Sequence, residues 1–148
     1  MKKHCMRFIP AFLAILTLTL SVNTHAAAPV TIIADGYPYT GIVEVYNDTA
    51  YVSLREFSTA MDNAVVSWSA DTETAVARTD ALTVYARENG QYIEANGRFL
   101  WCEYGTFTSD DGVMLVPLVA IAQAFGFDHT WDGETETVYL KRQTAAIA

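Results

Sequence analysis

Two stretches of this 148-residue chain, 49–78 and 113–141, run through the same order of residue types, so a fold that suits one must suit the other. The first reads Tyr51-Val52-Ser53-Leu54, a helical stretch to Met61-Asp62-Asn63, Val65-Val66-Ser67-Trp68, then Thr72-Glu73-Thr74-Ala75-Val76-Ala77-Arg78. The second reads Leu115-Val116-Pro117-Leu118, a helical stretch to Phe125-Gly126, Asp128-His129-Thr130-Trp131, then Thr135-Glu136-Thr137-Val138-Tyr139-Leu140-Lys141. Leu54 and Leu118 lie 64 positions apart, Trp68 and Trp131 lie 63 apart, so one residue is gained or lost at the end of the helix.

Each copy has a coherent local logic. Pro117 suits a first helical turn, where its missing N–H costs nothing, and Gly126 suits the left-handed residue that stops a helix. Ser53 and Asn63 take those roles in the first copy, one through a capping hydroxyl and the other through tolerance of positive φ. Leu54, Phe57 and Met61, like Leu118, Ile121 and Phe125, follow the i, i+3, i+7 spacing of one buried helical face of about two turns. The segments ending in Trp68 and Trp131 meet turn residues, Ser69-Ala70-Asp71 and Asp132-Gly133-Glu134, and then β-branched runs, which predicts a hairpin in each copy. Further strands are expected at 30–34, 41–46, 82–87, 92–94 and 98–103, separated by Asn- and Gly-rich turns. The fold expected is α+β: an antiparallel sheet built from two tandem β-rich repeats, halves about 30–79 and 80–142, each with one short helix packed on the sheet.

The N-terminus reads differently. Lys2, Lys3, His4 and Arg7 precede an uncharged apolar stretch, 8–20, too short to span a bilayer as a helix, and Thr24 and Ala26 place small residues at a cleavage site. Residues 1–26 are therefore expected to be a signal peptide, 27–148 a single domain that is secreted or cell-wall associated, with no membrane contact after cleavage. The chain carries 17 acidic against 9 basic residues, and Lys2, Lys3 and Arg7 belong to the leader. So acidic a remainder cannot neutralise a run of phosphates, and nucleic acid is not an expected partner. Of the two cysteines, Cys5 goes with the leader and Cys102, in the apolar run Phe99-Leu100-Trp101-Cys102, is expected to be buried.

The run from Leu115-Val116-Pro117-Leu118 through Ala124-Phe125-Gly126 to Thr130-Trp131-Asp132 and Thr137-Val138-Tyr139-Leu140 resembles the copper amine oxidase N-terminal domain-like family, the stalk domains. The resemblance covers about residues 30–142 and is stronger in the second copy; the first departs from the family pattern at Asn63 and the second at Val119. It implies a tandem unit found on exported proteins of Gram-positive bacteria, and it makes Arg55 a candidate ligand-binding residue, since Val119 stands where the family often has Arg. Tyr92-Ile93-Glu94-Ala95-Asn96-Gly97-Arg98 also looks like the linking strand pair seen where such modules precede spore-cortex-type cell-wall hydrolases. Copper chemistry is not implied, because an oxidase site needs three histidines and the chain past the leader offers His129. The resemblance is to the stalk without the oxidase.

No Gly-x-Ser-x-Gly, P-loop, His-Glu-x-x-His or Cys-x-x-Cys pattern occurs. Cys102 with His129 is the sole nucleophile and base pairing conceivable, and a buried cysteine beside a surface histidine is the plainer reading. The acidic spacing Asp132-Gly133-Glu134-Thr135-Glu136 does not match a calcium loop. Trp68 and Trp131 follow the strand pattern and are expected in the core. Trp101, Tyr104 and Phe107 fall in or beside irregular chain, where a ring can either stack on a sugar or plug the core; Trp101 and Tyr104 are the candidate ligand contacts.

The function expected is an exported, non-catalytic stalk-type module, a cell-envelope binding or spacer element, its partner peptidoglycan or another cell-surface protein. No catalytic residue, metal or cofactor is assigned. A hydrolase accessory or weak carbohydrate-active enzyme, and a self-associating structural protein, are the alternatives.

Overall fold

The computed structural model describes residues 29–144; the expected signal peptide lies outside them. In chain order the elements are β1 (Thr31–Ala34), β2 (Tyr37–Pro38), β3 (Val43–Tyr46), β4 (Thr49–Ser53), α1 (Leu54–Asp62), β5 (Val65–Ser69), β6 (Thr74–Arg78) and β7 (Thr83–Arg87). There follow β8 (Tyr92–Ala95), β9 (Arg98–Trp101), β10 (Phe107–Thr108), β11 (Met114–Pro117), α2 (Leu118–Ala124), β12 (Phe127–Asp132) and β13 (Thr137–Arg142). The class is α+β, mostly antiparallel strands with two short helices.

The strands form three sheets rather than the single one expected, in the orders β12-β13-β1-β2, β10-β11-β4-β3 and β5-β6-β7-β8-β9. One pairing is parallel: β1 lies beside β13 with Ile32 opposite Val138. A parallel pair needs a long crossover, and here nearly the whole described chain supplies it. The pairings β1 with β13 and β4 with β11 both cross the line drawn between residues 79 and 80.

Local chemistry explains the helix ends. Ser53 Oγ accepts the Glu56 N–H at 3.3 Å, and Asn63 closes α1 at φ 50°, with its own N–H on the Thr59 carbonyl and that of Ala64 on the Ser58 carbonyl. Pro117 sits one step earlier than expected: it is the last residue of β11, opposite Tyr51, and the N-cap of α2. Its fixed φ of −59° suits an extended residue as well as a helical one, and lacking a side-chain donor or acceptor it makes no capping hydrogen bond. Gly126 follows α2 at φ +77°, where a Cβ would be strained.

The helices turn the predicted faces inward. Leu54, Phe57, Leu118 and Ile121 are fully buried, and the Phe57 ring meets Tyr39 at 5.7 Å and Phe125 at 6.1 Å, both edge-on. The hairpins β5/β6 and β12/β13 form where expected. Trp68 and Trp131, however, are 47% and 52% exposed rather than in the core. Each pairs with a buried core residue, Ala75 and Val138, so its face is right; but β5 and β12 are edge strands, and the ring overhangs the rim of the sheet.

Because Phe57 is enclosed and Phe99 is 64% exposed, the two phenylalanines should respond oppositely to truncation. Phe57→Ala is expected to lower unfolding free energy by about 3–5 kcal/mol and Phe99→Ala by about 0.5 kcal/mol or less, both measured by urea titration.

Candidate functional site

Arg55 lies in the first turn of α1, just past the Ser53 cap, with Nη1 donating to the Val66 carbonyl at 3.1 Å. It lines an open cleft of about 850 Å³ together with Tyr39, Glu56 and Arg142. The cleft is internally tied. Glu56 Oε2 accepts the Ile42 N–H at 2.6 Å, and Arg142 donates to the Met61 carbonyl at 2.8 Å while its guanidinium lies 4.5 Å over the Phe127 ring. The Tyr39 hydroxyl is buried without a hydrogen-bond partner, and a Cβ on Gly41 would overlap both it and the Glu56 carboxylate, which is why glycine stands there. Burial first, and the Glu56 charge second, push the Tyr39 phenol well above its ordinary range.

Tyr104 lies within a tight turn in which the Gly105 N–H returns to the Cys102 carbonyl at 3.0 Å. It lines a separate hollow of about 400 Å³ with Tyr46, Gln91 and Phe107. Beneath it Tyr51 is fully buried and donates its hydroxyl to the Gly105 carbonyl at 2.9 Å.

Trp101 is 65% exposed at the end of β9. Register places its neighbours: Trp101 lies opposite Tyr92, and Phe99 opposite Glu94, which lies opposite Tyr85. All five point away from the core, because the intervening Val84, Ala86, Ile93 and Ala95 are fully buried. The Tyr92 and Phe99 rings pack edge-on at 5.1 Å. The result is an aromatic platform on the outer face of the five-stranded sheet. Trp101, Tyr104 and Arg55 thus occupy three different places. Tyr85, Tyr92 and Phe99 were missed by sequence reasoning, although the parity of Tyr92, Phe99 and Trp101 against Ile93 and Leu100 around the Asn96-Gly97 turn was the signal to use.

Cys102 is fully buried, and desolvation pushes its thiol up to about 11, despite a backbone hydrogen bond from Ile93 that favours the thiolate. His129 lies exposed on the edge strand β12. A thiol held neutral in the core is no nucleophile. Among the described residues no group of three or more His, Cys, Asp or Glu side chains is placed to hold a metal ion.

These features define a small α+β module whose exposed chemistry is spread over sheet faces and shallow clefts. The chain belongs to the copper amine oxidase N-terminal domain family, whose model matches residues 33–140. Comparison with curated proteins and with solved structures finds no match.

The folded chain keeps the Cys102 proton that the unfolded chain releases, so stability is complete below about pH 9 and declines as pH rises towards about 11. Melting temperature is expected to fall across that window, less steeply in Cys102→Ala. Peptide mass spectrometry should find Cys102 unlabelled by a thiol reagent at pH 8 until the protein is unfolded.

Proposed function

We infer that the protein is an exported, non-catalytic stalk-type module that acts in the cell envelope as a binding or spacer element, with peptidoglycan as its partner. The observation that carries this reading is the family match over residues 33–140, a domain named apart from the oxidase's catalytic portion. The cationic and apolar leader pattern of residues 2–20 supports export from the cytoplasm. The shared order of strand, helix and hairpin, β4-α1-β5-β6 and β11-α2-β12-β13, supports reading the domain as two tandem copies that together build one scaffold. The exposed Trp101 supports binding over a bare spacer, since a ring of that size on an outward face is surface that folding does not require.

The test is co-sedimentation of the full chain with purified Gram-positive peptidoglycan. Recovery of the folded protein in the pellet is expected, and Arg55→Ala and Tyr104→Ala, measured separately, report whether the cleft or the hollow takes part. A folded chain that stays entirely in the supernatant overturns the wall-binding reading.

A further inference from the structure

The outer face of the five-stranded sheet has the composition of a sugar site. Tyr85, Tyr92, Phe99 and Trp101 stand on three adjacent strands, spanning about 10 Å across the strands at ordinary sheet spacing. Beside them runs a shallow groove of about 840 Å³, lined by Tyr85 and Tyr92, the Arg87 guanidinium and the Glu94 carboxylate, with Val76 at its floor. Rings and hydrogen-bonding groups therefore alternate: the rings offer apolar planes and the groups between them offer donors and acceptors. A ligand that fits must itself alternate apolar C–H faces with polar edges, as a pyranose does.

Charge decides between occupants. Glu73 and Glu88 join Glu94 along the groove against the single cation Arg87, and the chain as a whole is at −8. Carboxylates accept from hydroxyl and amide N–H groups but repel phosphate and uronate, so an acidic polymer is disfavoured. A second copy of this chain brings the same negative charge to the same face. An uncharged ligand meets neither penalty.

We propose that this face is a binding platform for an uncharged glycan chain, one sugar ring stacked on Trp101 and a neighbour set against the perpendicular Tyr92 and Phe99 pair, with hydroxyl and amide groups held by Glu94 and Arg87 beside Tyr85. The proposal deepens the envelope-binding reading and rests on it. The rings are carried by paired strands, so little side-chain freedom is lost on binding.

The probe is chitohexaose, an uncharged N-acetylglucosamine oligomer, titrated into the full chain by calorimetry and tryptophan fluorescence. Binding is expected, with a fluorescence change that disappears in Trp101→Ala but persists in Trp131→Ala, and with affinity lowered about ten-fold or more in Tyr92→Ala and Phe99→Ala. Tyr139→Ala, an exposed ring on a different sheet, should leave it unchanged, and polygalacturonate should not bind. The proposal is overturned by a folded chain that ignores chitohexaose, by binding indifferent to the three platform variants, or by a concentration-dependent mass in sedimentation that Phe99→Ala abolishes, which would give the face to a second copy. Retention by peptidoglycan without binding of chitohexaose defeats the platform alone; binding of chitohexaose without retention by peptidoglycan defeats the wall-binding reading alone.

Discussion

The pairing of β4 with β11 holds the molecule together. Val52 lies opposite Val116, and Ser53 opposite Leu115, all at or near complete burial. Each strand runs straight into its helix with no loop between them, so the register of this one pair also sets where Leu54 and Leu118 enter the core. A slip of one residue would turn the valine of one strand to the opposite face and carry the buried face of the helix that follows it, Phe57 in α1 or Ile121 in α2, out of the core. Tyr51, beside this pair, reaches the Gly105 carbonyl and ties the irregular segment after β9 to the same centre.

From that centre the sheets divide their residues by parity. In β7 and β8 the alternate residues Val84, Ala86, Ile93 and Ala95 are fully buried, while Tyr85, Arg87 and Tyr92 face solvent. The small inward residues let the helices approach closely; α2 packs against β8 and β9 as well as β4 and β12. At the margins parity is not enough. Trp68 and Trp131 are on the core side of their strands, yet β5 and β12 have no neighbour beyond them, and large rings there cover the rim of the core.

What the sequence disclosed follows the range of the interaction. Ser53 and Asn63 act within a turn of their own positions, and both were legible as caps; the two hairpins, closed by local turns, were legible too. The β1 and β13 pair joins residues more than a hundred positions apart, and neither Thr31–Ala34 nor Thr137–Arg142 carries a mark of its partner, so the parallel contact and the division into three sheets were not. The two-residue strands Tyr37–Pro38 and Phe107–Thr108 are too short for period-two alternation to register. For the site, Trp101 was legible as a candidate contact, but its outward direction and its companions Tyr85 and Phe99 emerge only once the register across three strands is known.

The contrast between the cleft at Arg55 and the face at Trp101 bears on which surface recognises a partner. In the cleft the polar groups already serve the fold: Glu56 holds the Ile42 N–H, Arg55 the Val66 carbonyl, and Arg142 the Met61 carbonyl. Those bonds tie the segment between β2 and β3, and the C-terminal strand, to α1, and a ligand there would have to compete with them. The sheet face bears no such duty. Val84, Ile93 and their neighbours fill the other side completely, so the core does not need rings at positions 85, 92, 99 and 101, and the contact seen among them is the Tyr92 and Phe99 pair. Four aromatic side chains on one face of adjacent strands thus stand free of the ties that occupy the cleft, which is why the proposed glycan contact is placed there and not at Arg55.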